Sequence, residues 1–272
     1  MENEFDLAYT PLMEMEAGKG RITFCTLDLE DAVSKDPAAR KLAAQIVEYA
    51  KNAPIQPKAE TVLYLGGKEG AELLDFLTVK YSNASAPDPS AGLVIVGADA
   101  NPDKAALEAY AKAGGRVLFL PRADDRGWGD VKTVKRASFK GSLTPPAWPE
   151  AAGLNTSDLR WRNEADGWVL EAGAPVEIGA HGLLARRKVG NGGFVYTQLT
   201  PNAVPADEKS YFRYTRWRQT RALSQVLANL GASFKNDVLF LGLLAQPKPA
   251  FMLAGEWDVK LTQAVPESPT RK

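Results

Sequence analysis

The sequence predicts an α/β protein: a doubly wound, mostly parallel sheet with partial elements flanking it. Three observations carry that prediction. Thr61–Leu65, Leu93–Val96 and Arg116–Leu120 are short apolar runs without a break, the pattern of strands buried on both faces. Helical segments separate them at short spacing, which implies right-handed crossovers and parallel neighbours. The chain also repeats itself. Gly18-Lys19-Gly20-Arg21-Ile22-Thr23-Phe24-Cys25-Thr26-Leu27-Asp28 is echoed by Gly190-Asn191-Gly192-Gly193-Phe194-Val195-Tyr196-Thr197-Gln198-Leu199-Thr200.

In chain order, a strand over about 20–27 leads to a helix over about 36–51. Asp36 is placed to cap that helix and Pro37 to occupy its first turn. Leu42, Ile46 and Tyr49 share one helical face. Residues 53–58 are proline-punctuated and expected to be a linker. After the strand at 61–65, Glu69–Tyr81 is expected as a helix burying Leu73, Leu74, Phe76 and Leu77. Asn101-Pro102 is expected to start the next helix, which Gly114-Gly115 terminates.

From Pro121 to about Arg162 no period holds. Long irregular stretches inside a compact domain are usually functional or interaction surfaces. Trp168–Leu170 and Leu183–Arg186 are expected as short strands before the second repeat. A closing helix runs from about Tyr211 to Leu230 and stops at Gly231. Asp237–Leu244 is expected as a strand, and the tail from Pro266 as disordered.

Composition narrows the function classes. Lys+Arg and Asp+Glu are 33 each, so no net field draws nucleic acid or an anionic membrane. The segment Tyr211–Arg218 interleaves aromatics and arginines, yet suits a helix packed on a sheet equally well. No apolar run approaches the roughly 20 residues of a membrane span. One cysteine excludes a disulfide framework and a thiolate metal site but does not fix the compartment. No cofactor is expected.

Candidate chemistry is sparse. Cys25 lies within an apolar strand, and its repeat partner is Thr197, so it is expected to be a small buried hydrophobe. His181 sits in the glycine-flanked turn Gly179–Gly182 and is expected to be structural. Gly66 and Gly67 follow a strand and open a helix, where an anion would meet a helix N-terminus. They match neither the P-loop nor the dinucleotide fingerprint. Asp99, at the carboxyl end of the next strand, lies where open α/β sheets bind ligands. A turn and capping role is the reading preferred for it. Trp128, Trp148 and Trp161 could stack on sugar rings or pack internally. The carboxylates Asp124, Asp125, Glu164, Asp166, Glu171 and Glu177 form no facing pair of the glycosidic kind.

The strand–helix series from Val62 to Leu120, closed by Gly190–Leu199 and Arg221–Leu230, resembles class I glutamine amidotransferase-like domains, which are flavodoxin-like. It is most similar to versions embedded in large bacterial glycoside hydrolases related to the β-galactosidases of family 2 and its neighbours. The phrase Pro11-Leu12-Met13-Glu14-Met15-Glu16-Ala17-Gly18-Lys19-Gly20-Arg21-Ile22, with the strand and proline-initiated helix after it, resembles the end of such a module. Phe251-Leu253-Gly255-Trp257 resembles the start of a galactose-binding-like β-sandwich. The resemblance implies three parts: the end of one domain over 1–53, a whole one over 54–236, and the opening of a third over 237–272.

A working glutaminase carries a Cys on a strand-to-helix elbow and a His-x-Glu motif. Here Gly66-Gly67 and Gly97-Ala98 hold no Cys, and Gly182-Leu183 follows His181. The implied function is a non-catalytic accessory module of a carbohydrate-active enzyme, whose compartment the sequence leaves open between periplasmic, secreted and others. Its partners would be flanking domains, a carbohydrate or a second copy, without nucleic acid or membrane. The alternatives are a sugar- or small-molecule-binding module, using Gly66, Gly67, Asp99, His181, Trp128 and Trp148, and a degenerate hydrolase.

Overall fold

The computed structural model describes residues 11–17, 20–52, 61–129, 131–136, 141–161, 167–205 and 210–235. The 53–58 linker and the expected strand at 237–244 lie outside these residues, as does the sandwich-like segment after it. The chain divides into two compact units, Met1–Pro57 and Lys58–Lys272.

The first unit is a hairpin and a helix. β1 (Leu12–Ala17) pairs antiparallel with β2 (Gly20–Cys25), and α1 (Pro37–Asn52) follows. Asp36 Oδ1 accepts from the Ala38 N–H at 2.8 Å, the cap its position before Pro37 promises. Tyr49 of α1 ties the helix to one face of the hairpin. It accepts from Arg21 Nη1 at 3.3 Å and donates to Glu14 Oε1 at 3.4 Å. β1 was not foreseen as a strand. Cys25, expected buried, is exposed: it closes a two-stranded hairpin, and no further strand pairs with β2 among the described residues.

The second unit contains β3 (Val62–Leu65), α2 (Lys68–Phe76), β4 (Ser82–Asn83), β5 (Leu93–Val96), α3 (Lys104–Lys112) and β6 (Arg116–Phe119). There follow β7 (Lys132–Arg136), β8 (Gly141–Ser142), β9 (Arg160–Trp161), β10 (Gly167–Glu171) and β11 (Glu177–Gly179). β12 (Leu184–Val189), β13 (Gly192–Thr197) and α4 (Ser210–Asn229) are the last of its elements among the described residues. Seven strands form one sheet in the order β4-β3-β5-β6-β13-β12-β11. The first five are parallel, β12 runs antiparallel to β13, and β11, antiparallel to β12, returns to the direction of the first five. This is the flavodoxin-like α/β order.

Alternate residues of each central strand enter opposite cores. Tyr64, Ile95, Leu118 and Val195 pack with α2 and α4 through Leu73, Leu74, Leu223 and Leu227. Leu65, Val94, Val117 and Phe194 pack with α3 through Leu107, Tyr110 and Ala111. The aperiodic stretch after Pro121 supplies β7, which pairs antiparallel with β10 and covers the α3 side with Val131 and Leu170. Strands β8 and β9 pair with each other.

Two expected helix limits are corrected. The helix read as Glu69–Tyr81 ends at Phe76, because Thr78 adopts φ 58° and the Val79 N–H closes back on the Leu74 carbonyl at 2.9 Å. That closure usually falls on a glycine, so a threonine hid it. The β4 strand follows directly. The α3 cap is Asp103, whose Oδ1 accepts from the Ala105 N–H at 2.8 Å, and not Asn101.

The repeat is structural as well as sequential. Leu12 faces Cys25 as Leu184 faces Thr197, and Ala17 faces Gly20 as Val189 faces Gly192. Every paired position therefore shifts by the same 172 residues, and a helix follows each hairpin.

Ile95, fully buried between β3 and β6, supplies a direct test of the core. Ile95→Ala should lower the stability of the second unit by about 2–5 kcal/mol in urea unfolding, whereas Val47→Ser on exposed α1 surface should change it by under about 0.5 kcal/mol.

Candidate functional site

In a sheet ordered this way, the chain leaves β3 toward β4 on one side and toward β5 on the other. The carboxyl ends of β3 and β5 therefore form a crevice at a topological switch point. Residues Leu65, Gly66, Gly67, Ala84, Ser85, Asp99, Ala100, Asn101 and Pro102 line a cleft of about 190 Å³ there. Gly66, Gly67 and Asp99, singled out from the sequence, meet in it.

The crevice is built by a close approach of backbones. A Cβ on Gly66 would stand 2.9 Å from Gly97 Cα and 2.4 Å from the Tyr64 hydroxyl, so neither loop tolerates a side chain at that point. The Tyr64 hydroxyl fills the space beneath and donates to the Gly67 carbonyl at 2.8 Å. Burial, with Asp99 adding to it, pushes the Tyr64 phenol up to about 12.

Asp99 Oδ1 accepts from the Gly67 N–H at 2.9 Å. Gly67 is the N-cap of α2 and has no side chain of its own to do this. The anion expected at this helix N-terminus is thus the protein's own carboxylate, which satisfies an orphan donor and complements the helix dipole. A phosphate at the same place would meet a like charge. An exposed carboxylate beside Ser85 and Asn101 instead suits hydroxyl or amine donors.

Behind Asp99, the buried guanidinium of Arg122 holds the loops after β5 and β6 together. Its Nε donates to the Ala98 carbonyl at 2.8 Å and its Nη2 to the Ala100 carbonyl at 3.3 Å; Nη1 donates to Gly127. Trp128 lies under it, with the guanidinium carbon 3.6 Å from the ring centroid. Burial, with Arg126 adding to it, lowers the guanidinium's pKa. Arg122 was not singled out from the sequence; an arginine just past an apolar strand gives no signal distinct from a solvated charge.

The other expected residues lie apart. Trp128 packs on Phe119, with centroids 4.9 Å apart, and on Arg122, so its faces are engaged. Trp148 packs against Arg186, at 4.9 Å, and under Gly179. Arg186 there pairs with Glu150 and Glu177 at 3.2 and 2.9 Å. Trp161 is buried. His181 is exposed on the turn between β11 and β12, with Ala180, His181 and Gly182 at φ 48°, 53° and 89°. That turn is on the carboxyl edge, three strands from β5 or about 14 Å. A larger groove of about 440 Å³ lies at the opposite, amino edge, beside Pro87, Pro89, Tyr110 and Arg116. Its polar groups are used internally: the Tyr110 hydroxyl donates to Ala91 and Arg116 Nε to Gly92. Among the described residues, no group of His, Cys, Asp and Glu is placed to hold a metal, and no helix is long and apolar enough to cross a membrane.

A family model described as a domain of unknown function, DUF8487, matches residues 6–64. No curated protein matches the chain significantly. Among solved structures, the chain is similar to an exo-β-1,4-mannosidase, Op5Man5, from Opitutaceae bacterium strain TAV5, at 16% identity and a TM-score of 0.36. The match covers 73% of this chain and 39% of that one. It is similar to a β-galactosidase from Bacillus circulans sp. alkalophilus at 10% identity and a TM-score of 0.39, over 73% and 36% of the two chains. A ThuA-like protein from Parabacteroides merdae ATCC 43184 matches at 14% identity and a TM-score of 0.42, over 66% of this chain and 93% of that one. The chain thus spans little more than a third of the two glycosidases.

Three outcomes test this geometry. Asp99→Ala should cost about 1 kcal/mol through the lost cap, and Arg122→Met on the order of 3 kcal/mol because buried carbonyls lose their donor. Tyr64 is more easily ionised when unfolded, so its contribution to stability is complete below pH 10 and lost as the pH rises toward about 12. Tyr64→Phe should remove a component near pH 12 from the alkaline tyrosinate absorbance titration and flatten the fall in stability above pH 10.

Proposed function

We propose that this chain is a non-catalytic accessory module of a carbohydrate-active enzyme, serving to space or join domains. The observation that carries this reading is that the switch-point crevice is committed to structure. Asp99 caps α2, the Tyr64 hydroxyl bonds the Gly67 carbonyl, and Arg122 binds the surrounding loop carbonyls. The nucleophile elbow and acid–base pair of a working hydrolase have no counterpart among the groups that meet there. The carbohydrate connection rests on the sequence resemblance described above.

One observation favours a second reading, a sugar-binding module. The exposed Asp99 lines the cleft together with Ser85 and Asn101, a set of polar groups suited to vicinal hydroxyls. Full-length protein incubated with glutamine or with nitrophenyl glycosides should give no turnover above buffer. Turnover abolished by Asp99→Asn or His181→Ala would overturn the accessory reading. In calorimetric titration with galactose and mannose, heat lost on Asp99→Ala but kept on Trp148→Ala would establish the binding module instead.

A further inference from the structure

The two hairpins share one register but not one environment. Adding 172 places Met13, Ile22 and Phe24 of the first unit on Ala185, Phe194 and Tyr196 of the second. The second set is 0%, 4% and 1% exposed; the first is 44%, 43% and 44% exposed. In the second unit this face is covered by α3 through Leu107, Tyr110 and Ala111, and by β6 through Phe119. Phe119 stacks on Tyr196 at 4.7 Å and meets Phe194 edge-on at 5.6 Å. The free edge of β13 is filled by β6, in parallel.

The opposite faces correspond as well. In the second unit α4 covers Leu184 and Val195. In the first, α1 sits on the equivalent face, where Tyr49 reaches Glu14 and Arg21. A hairpin and its own helix are therefore present in both units, while the β6-like strand and α3-like helix are present in only one among the described residues.

We propose that the first unit is a closing piece. Its β2 edge and its Met13–Ile22–Phe24 face receive a parallel strand and a covering helix from a sibling α/β domain that lacks its own closing hairpin. The occupant follows from the duplicate, in which it is seen. A second copy of this chain is not that occupant, because its β6 edge already carries β13. The chemistry required is specific: a short apolar strand running parallel to β2, then a helix presenting Leu- and Tyr-sized groups. Burying three large apolar side chains makes such a face an interface and not a solvated surface.

The test exchanges the hairpins within the intact chain. One variant replaces Leu184–Thr197 with the sequence of Leu12–Cys25. A minimal variant carries only Ala185→Met, Phe194→Ile and Tyr196→Phe. Cooperative thermal unfolding of either variant, with a midpoint lowered by no more than about 10 °C, supports the proposal, because β6 and α3 then accept the first unit's face. The same exchange with Ile22→Lys and Phe24→Lys should abolish cooperativity. Loss of cooperative unfolding in both the full and the minimal exchange overturns it. In the unaltered chain under reducing conditions, light scattering should give a mass near 29.4 kDa, and Phe24→Lys should leave mass and midpoint unchanged. A dimer that Phe24→Lys dissociates would assign the face to a second copy and overturn the proposal.

Discussion

The parallel pairing of β13 with β6 is the contact through which the second unit becomes one body. β3, β5 and β6 are near neighbours in sequence, and local crossovers suffice to align them. β13 arrives much later, after the β7–β10 pair and the β11–β12 turn, and its backbone groups must find β6 because both faces of the sheet are dry. Once Tyr196 lies beside Phe119, α4 is committed to one face and α3 to the other. The edge strands β12 and β11 then have a place to pair. Losing this ladder would detach the closing hairpin from the parallel strands and leave α4 held only by its side-chain packing.

The same ladder sets the carboxyl edge. With β3, β5 and β6 fixed in parallel, the loops after them converge, and their carbonyls and amides need partners away from bulk water. Arg122 and Asp99 answer opposite halves of that need: one donates to carbonyls, the other accepts from an amide. The loops after β3, β5 and β6 are thereby tied to one another. That is a useful property in a part that positions neighbours, and a poor one in a site that must exchange protons with a substrate.

Much of the architecture was legible because its signals are local. The unbroken apolar runs gave β3, β5 and β6, the Asp36-Pro37 pair gave the start of α1, and Gly114-Gly115 and Gly231 gave the ends of α3 and α4. What escaped depended on distant partners. β4 is two exposed residues defined only by pairing with Tyr64's strand, and β7 is polar-facing and pairs across more than thirty residues. Thr78 adopts a backbone usually left to glycine. In the site, Gly66, Gly67 and Asp99 were visible from their places after strands. That Asp99 would bond the Gly67 amide was not, because the two are 32 residues apart in sequence.

Cys25 sits at the exposed end of β2, and the chain has no other cysteine. Any disulfide it forms must therefore be between molecules. Air oxidation would join two chains covalently beside the very strand edge that a sibling domain would claim. Such a dimer would reflect storage history and not recognition, and blocking the thiol would distinguish the two. The same thiol is a unique attachment point for a spectroscopic label, placed where occupancy of the β2 edge would change its surroundings.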